Sequence, residues 1–312
     1  MLSKPMSFTV TILGNSSAKP TPKAHPSAQV VNFHEQHYLV DAGEGVQQQL
    51  IRRGINPLRL RAVFISHLHG DHCYGLFPLI STLGLEGKRT PLDIYAPAPM
   101  GEILDYHAKY FLDDIPYEIK YHQVDTTKHQ IIMENNTLEV WSVPLRHRVP
   151  TAGYHFKEKQ PGLNVDKFKI ERYGLSIAQN VALKRGEDIV LESGEVMANE
   201  KLTYRPYEAR SYAYLSDTNY SAKAAERVRG VDLLYHETTY ARSEEQWAKG
   251  RGHSTTTEAA RVAQLAEAKR LIIGHFSSRY KNHDLLAEEC REIFPNTDIA
   301  REGDTFFIDE RR

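Results

Sequence analysis

Four side chains able to bind a transition metal, His67, His69, Asp71 and His72, fall within six consecutive positions of the segment FISHLHGDH. In extended backbone, residues two apart project to the same side, so His67 and His69 can share one ion. If a helix then begins, the adjacent Asp71 and His72 can turn toward a second. Imidazole mixed with carboxylate suits borderline divalent cations, with zinc foremost and manganese or iron also compatible. A histidine-rich surface loop is the competing reading of this segment alone. Against it stands a recurrence of His or Asp where apolar runs end: His147 follows WSVPLR, Asp217 follows YAYLS, His236 follows DLLY and His275 follows LIIG. Each one singly reads as an ordinary, partly buried residue. Together they occupy strand ends, where rigid backbone holds a ligand within the tolerance of metal geometry.

The elements that must position these groups follow from hydrophobic period and punctuation. Residues 8–13 (FTVTIL), 29–33 and 38–40, separated by Gly and Pro signals, predict an opening β-meander. Residues 45–53 suit a short helix. The continuous apolar run 62–65 (AVFI), directly ahead of the histidine cluster, suits a strand covered on both faces. A helix over 74–85, a strand over 92–96, a helix over 101–112 and several strands between 117 and 143 follow. Between 157 and 207 the pattern breaks into short segments at Pro161, Gly162, Gly174, Gly186, Gly194 and Pro206, which reads as an inserted or projecting arm. Beyond it, strands at 212–215, 231–235, 271–273 and 305–308 alternate with helices at 222–228, 255–267 and 285–294. With no internal repeat or low-complexity tract, the pattern predicts one layered α/β domain over 1–312 carrying an arm at about 157–207.

At 312 residues, with 41% hydrophobic and 25% charged side chains, the composition is that of a soluble globular protein rather than a disordered or membrane-spanning one. Lys plus Arg total 39 against 40 for Asp plus Glu, so a polyanionic partner would be held by a local patch and not by net charge. Cys73 and Cys290 are too few for a disulfide framework. The opening MLSKPMSFTVTILG lacks the long apolar core of a signal peptide, so a reducing cytoplasm is the expected location.

HLHGDHCYG resembles the HxHxDH motif of the metallo-β-lactamase superfamily. In order along the chain, TILGNSSAKPTP, LVDAGEGVQQQL, LRAVFISHLHGDHCYGLFPLI, PLDIYAP, LRHRVPTAGY, LSDT, HETTY, GHSTTTEAA and IIGHFSSRY resemble segments of the ribonuclease Z family, endonucleases that trim the 3′ trailer from precursor tRNA. The resemblance implies an αββα sandwich with a dinuclear site at its edge and an inserted exosite arm. It implies that one metal takes His67, His69 and His147, that a second takes Asp71, His72 and His275, and that Asp217 bridges them. Asp71 would also orient the attacking water and accept its proton. His253, in GHST, would be the proton donor, and Glu237, in HETT where the family carries HEAT, would orient it. His236 reads as structural, and Cys73, beside a ligand set complete without it, reads as packing. Arg279, in HFSSRY, could contact a phosphate or hold its loop.

Phosphodiester hydrolysis needs a nucleophile at neutral pH, charge stabilisation on the phosphoryl oxygens and a proton for the departing ribose oxygen. Paired divalent ions serve the first two needs and His253 the third. The expected function is therefore a metal-dependent endoribonuclease acting on precursor tRNA, assembled as a homodimer as the resemblance to short ribonuclease Z forms implies, with no membrane partner. The alternative is a metallo-β-lactamase-fold phosphodiesterase for a small or cyclic phosphodiester. It draws on the arm, where YGLSIAQNV stands in place of the family's Gly- and Pro-rich motif. There Lys157, Lys159, Lys167, Lys169 and Arg172 face Glu158, Asp166 and Glu171, a pattern that suits solvated surface as well as RNA contact. A non-catalytic RNA-binding scaffold would have little use for seven ligands and a His–Glu pair.

Overall fold

A computed structural model describes residues 7–22, 24–112 and 115–310. The first six residues of the opening segment read for a leader lie outside these. The meander expected at the start is β1 (Phe8–Gly14), β2 (Ala28–Phe33) and β3 (Gln36–Ala42). Then come α1 (Val46–Arg52), β4 (Leu60–Phe64), α2 (Gly70–Cys73), α3 (Leu76–Leu85), β5 (Leu92–Ala96), α4 (Pro99–Phe111) and β6 (Ile119–Gln123). The antiparallel strands β7 (Gln130–Glu134), β8 (Leu138–Pro144) and β9 (Ala152–Glu158) follow. The interrupted stretch holds β10 (Asn164–Val165), α5 (Lys167–Tyr173), α6 (Ile177–Lys184), β11 (Ile189–Val190), β12 (Val196–Met197) and β13 (Thr203–Tyr204). The alternating part comprises β14 (Ser211–Leu215), α7 (Ala222–Arg227), β15 (Leu233–Glu237), α8 (Glu245–Arg251), α9 (Thr256–Leu265), β16 (Arg270–Gly274), α10 (Asp284–Arg291), β17 (Thr297–Ile299) and β18 (Thr305–Phe307).

Two seven-stranded sheets result, in the orders β18-β1-β2-β3-β4-β5-β6 and β17-β16-β15-β14-β9-β8-β7. In each, antiparallel strands continue into parallel ones, β3 to β6 in the first and β14 to β17 in the second. Side-chain alternation sets the layers. On β4, Ala62 and Phe64 join Tyr38, Tyr95, Tyr154 and Phe156 in the core between the sheets, whereas Val63 and the following Ile65 join Leu79 and Ile80 of α3 in the core outside it. On the far side, Leu234, Leu271 and Ile273 pack with Ala260 and Ala263 of α9 and Leu286 of α10. Burying each large side chain of this kind is worth roughly 1.5–3 kcal/mol, which is why the central parallel strands β4 and β15 carry apolar side chains on both faces. The layers are helix, sheet, sheet, helix, the αββα sandwich that the resemblance implies.

The sandwich is interrupted between β9 and β14, which are antiparallel neighbours with Lys157 opposite Ser211. The inserted chain therefore leaves and re-enters at one place. It encloses its own cluster of Val165, Leu175, Leu183, Ile189, Met197 and Leu202. Its residues form more regular structure than the breakers suggest, because Gly174, one of those breakers, and the polar residues near it are helix caps. Asp166 accepts from the Phe168 amide ahead of α5, Gly174 closes that helix at φ 59°, and Ser176 with Gln179 forms a capping box on α6. Other boundaries also differ from expectation. The helix expected from 74 begins at Leu76 behind the short α2, α4 starts two residues early with Pro99 in its first turn, and β9 and β17 were not foreseen. Among the described residues no helix is long and apolar enough to cross a membrane.

Candidate metal centre

The chain delivers its ligand-type side chains from the ends of strands in both sheets. His67, His69, Asp71 and His72 follow β4, His147 follows β8, Asp217 follows β14, Glu237 ends β15 and His275 follows β16. The close contact of two glycines helps to seat the first group. A Cβ on Gly75 would lie 2.1 Å from the Gly43 carbonyl oxygen, so only glycine lets the α2–α3 junction sit against the turn after β3. His275 itself lies at φ 58°, in the left-handed region, a turn that costs about 1–2 kcal/mol and swings its ring away from the strand line.

The seven residues expected as ligands converge in two sets. In one, His69 Nδ1 lies 2.9 Å from His67 Nε2 and 3.3 Å from His147 Nε2, and Asp217 Oδ2 lies 3.6 and 3.8 Å from the same two Nε2 atoms. In the other, His72 Nε2 and His275 Nε2 are 3.3 Å apart, with Asp71 Oδ2 3.5 Å from each and Asp217 Oδ1 at 3.5 and 3.3 Å. Ligand bonds of about 2.0–2.1 Å in a tetrahedral site place neighbouring ligand atoms about 3.3–3.4 Å apart, so both sets fit a divalent ion of zinc's size and preference. Asp217 turns one oxygen to each set. It is buried, and its Oδ1 has no hydrogen-bond partner within the described structure, an orphan that a cation would satisfy.

A layer of groups behind the ligands fixes which ring nitrogen faces inward. His72 Nδ1 donates to Asp41 Oδ2 at 2.7 Å, and His147 Nδ1 donates to the Gly252 carbonyl at 2.7 Å. The Thr239 hydroxyl has one proton, which goes to Glu237 Oε2 at 2.8 Å, so toward His275 Nδ1, also at 2.8 Å, it must accept. Ser66 works likewise: its hydroxyl donates to Asp41 Oδ2 at 2.9 Å and accepts from His67 Nδ1 at 3.0 Å. Each of these four histidines therefore presents an unprotonated Nε2 to the centre. Asp41, Ser66 and Thr239 were not anticipated as site residues, although Asp41 lies in LVDAGEG, at a strand end like the ligands themselves.

His253 and Glu237 meet beside these sets. Glu237 is fully buried and each of its oxygens is engaged: Oε1 accepts from the Ser254 amide at 2.8 Å and from His253 Nδ1 at 3.1 Å, and Oε2 from the Thr239 amide at 2.9 Å. Burial favours the neutral ring of His253, but the Glu237 and Asp217 carboxylates outweigh it and push its pKa up to about 9. Burial likewise opposes charge on His72, yet Asp217, Asp41 and Asp71 raise its pKa to about 10 while the centre holds no cation, and a bound cation would take the place of its Nε2 proton. The carboxylates thus create a field built to hold positive charge. Asp217 and His275 also lie near His253, but the Nδ1 of His253 is committed to Glu237.

The remaining candidates sit outside the two sets. Arg279 pairs with Glu244 and lies over the Tyr240 ring, 5.1 Å from its centroid, the loop-holding one of its two expected roles. His236 is buried with Nδ1 donating to the Glu237 carbonyl. Thr238, the departure from HEAT, donates to the His236 carbonyl, away from the ligands. Cys73 is buried, its Sγ on the His69 carbonyl, and burial pushes its thiol up to about 12, so it packs as a neutral group.

The family described as anti-Pycsar protein Apyc1 matches residues 8–283. A ribonuclease Z of Bacteroides thetaiotaomicron is 41% identical over 296 residues, covering 95% of this chain and 94% of its own. One from Phocaeicola vulgatus is 41% identical over 295 residues, covering 95% and 96%. The chain belongs to the ribonuclease Z family. As a member it is a metal-dependent hydrolase, and its architecture is shared with solved structures of lower identity. Human tRNase Z, short form, superposes with a TM-score of 0.70 at 23% identity, covering 96% of this chain and 98% of that one. The metallo-β-lactamase fold protein YhfI from Bacillus subtilis does so at 0.69 and 19%, covering 97% and 100%.

Proposed function

We propose that this protein is the endoribonuclease that hydrolyses a phosphodiester to remove the 3′ trailer from precursor tRNA, using two divalent ions, zinc foremost. The observation that carries this reading is the His253–Glu237 pair set against the two ligand sets, in a chain about 40% identical to ribonucleases Z over nearly its full length. His67, His69 and His147 would hold one ion, Asp71, His72 and His275 the other, and Asp217 both. When bound, the ions make water nucleophilic near neutral pH and offset charge on the phosphoryl oxygens.

The chain's own groups do the rest. Asp71 is ionised: burial opposes its charge, but His72 and His275 hold its carboxyl well below the usual range. Its Oδ2 accepts from the Ala18 amide at 2.7 Å, leaving Oδ1 to orient the attacking water and take its proton. Glu237 keeps the Nδ1 proton of His253 in place, so the Nε2 proton is the one given to the departing ribose oxygen. A cation held by Asp217 would cancel part of the field on His253, leaving Glu237 as the charge that keeps the ring protonated.

The test is incubation of the metal-loaded protein with a precursor tRNA and, separately, a cyclic mononucleotide. Release of mature-length tRNA with an intact trailer fragment is the expected outcome, and turnover of the cyclic nucleotide alone would establish the small-phosphodiester alternative. A homodimer is part of the proposal, and light scattering in solution checks it. The two buried, unbridged thiols, Cys73 and Cys290, are consistent with a reducing cytoplasm.

A further inference from the structure

The rim of the centre on the His147 side carries cations and an exposed aromatic ring that the hydrolytic chemistry does not use. The loop between β8 and β9 presents Arg146 and Arg148, both exposed, on either side of His147. The C-terminal end of α8 abuts this loop. Gly252 receives the His147 hydrogen bond and sits so close that a Cβ there would lie 3.4 Å from Arg148 Cγ. On α8, Ala248 is buried, while Trp247 and Arg251, one turn apart on the same face, are exposed. The Arg251 guanidinium lies over one face of the Trp247 indole, 5.5 Å from its centroid, and the side chain is still 58% exposed. His253 follows Arg251 by two residues.

Other arginines close by are neutralised, Arg279 by Glu244 and Arg242 by Glu292. Arg146, Arg148 and Arg251 form no ion pair with a carboxylate among the described residues. Unpaired guanidinium groups next to a large aromatic face that points to solvent are the ingredients of single-stranded nucleic-acid binding, in which phosphates meet the cations and a base stacks on the ring.

Resting on the RNA reading above, we propose that Trp247 and Arg251 of α8, with Arg146 and Arg148 of the facing loop, form a subsite for unpaired RNA next to the scissile phosphodiester. One base stacks on the open face of Trp247, the flanking phosphates lie on the arginines, and the strand passes His147 and His253 on its way to the ligand sets. The arm contributes no residue to this subsite.

The experiment compares wild type, W247A, W247F and R251Q as metal-loaded proteins. Readouts are kcat and KM on a precursor tRNA with a single-stranded trailer, kcat/KM on bis(p-nitrophenyl) phosphate, and the affinity for a labelled single-stranded RNA. Stacking of one base is worth about 1–3 kcal/mol, so W247A should lower kcat/KM on the precursor, mainly through KM, by about tenfold more than on the chromogenic ester. W247F should recover most of that loss. R251Q should reduce the steepness of the dependence of log affinity on log salt by about 0.7, the value of one phosphate contact on a single strand. Equal losses on the two substrates for W247A, or unchanged RNA affinity in both W247A and R251Q, would overturn the subsite. A wild type that binds the RNA in a Trp247-dependent way but leaves precursor tRNA intact would sink the tRNA reading while supporting the subsite.

Discussion

At the scale of single residues, the general acid stands apart from the groups that would hold cations, whereas Asp71 serves both as ligand and as proton acceptor. Replacing His253 by Ala removes the proton donor but no atom of the two ligand sets. The variant should keep wild-type metal content by elemental analysis while turnover falls by about 10²–10⁴, the usual contribution of a general acid. Glu237→Gln tests the electrostatics. A general acid must be protonated, so activity should fall as pH rises through the His253 pKa, which a cation on Asp217 would bring below the value of about 9 set by Glu237 and Asp217 together. Losing the carboxylate should move this alkaline limb down by about one unit or more, read from the pH dependence of kcat/KM. The ligands were legible in the sequence because HLHGDH compresses four of them into six positions and the others end apolar runs. The network that sets their tautomers was not. Nothing local marks Thr239 as the acceptor for His275 or the Gly252 carbonyl as the acceptor for His147, since both contacts join strands or loops far apart in the chain.

At the scale of elements, strand ends act as mounts and the connections between them supply the second layer of contacts. Thr239→Val preserves shape but deletes the hydroxyl between Glu237 and His275. It should weaken metal affinity about 10- to 100-fold with little loss of fold, measured by competition with a chromogenic chelator. Central strands were legible because Val, Ile and Leu runs have few other readings. The arm was less so, since Gly174 reads as an interruption but stops α5 just ahead of Ser176, which starts α6. The arm's place in the sheet also yields a test. Joining residue 161 to 201 removes all of the arm's apolar cluster except Leu202 and spares the β9–β14 pairing. This deletion should lower kcat/KM on precursor tRNA at least about tenfold more than on bis(p-nitrophenyl) phosphate if the arm contributes phosphate contacts.

At the scale of the molecule, one buried ion pair ties the layers at the end away from the candidate metal centre. Arg210, ahead of β14, clamps Glu158 of β9 through both carboxylate oxygens at 2.8 and 3.0 Å, donates to the Ile308 carbonyl at 3.1 Å, and shares Glu158 with His34 of the β2–β3 turn. Burial works against the charge on Glu158, but the His34 and Arg210 contacts lower its pKa from 4.5 to about 2. Because the folded-state value is depressed, this stabilisation is complete above about pH 4.5 and is lost as pH falls toward 2. Glu158→Gln should therefore cost about 3–5 kcal/mol at pH 7, where it strands a buried guanidinium, and much less near pH 2, as read from urea midpoints. The helix-sheet-sheet-helix order was legible from the alternation of apolar runs. This cross-layer tie was not, because its partners are scattered from position 34 to position 308.

The shared exit and entry of the inserted chain, at Lys157 opposite Ser211, has a consequence for how such an enzyme can be re-engineered. Whatever is spliced beyond the Glu158–Arg210 pair beside those rungs meets the rest of the protein through a single doorway. A foreign recognition module whose own ends lie side by side could be grafted there without a change in the register of the strand that carries Asp217, so target choice and bond cleavage are open to redesign one at a time.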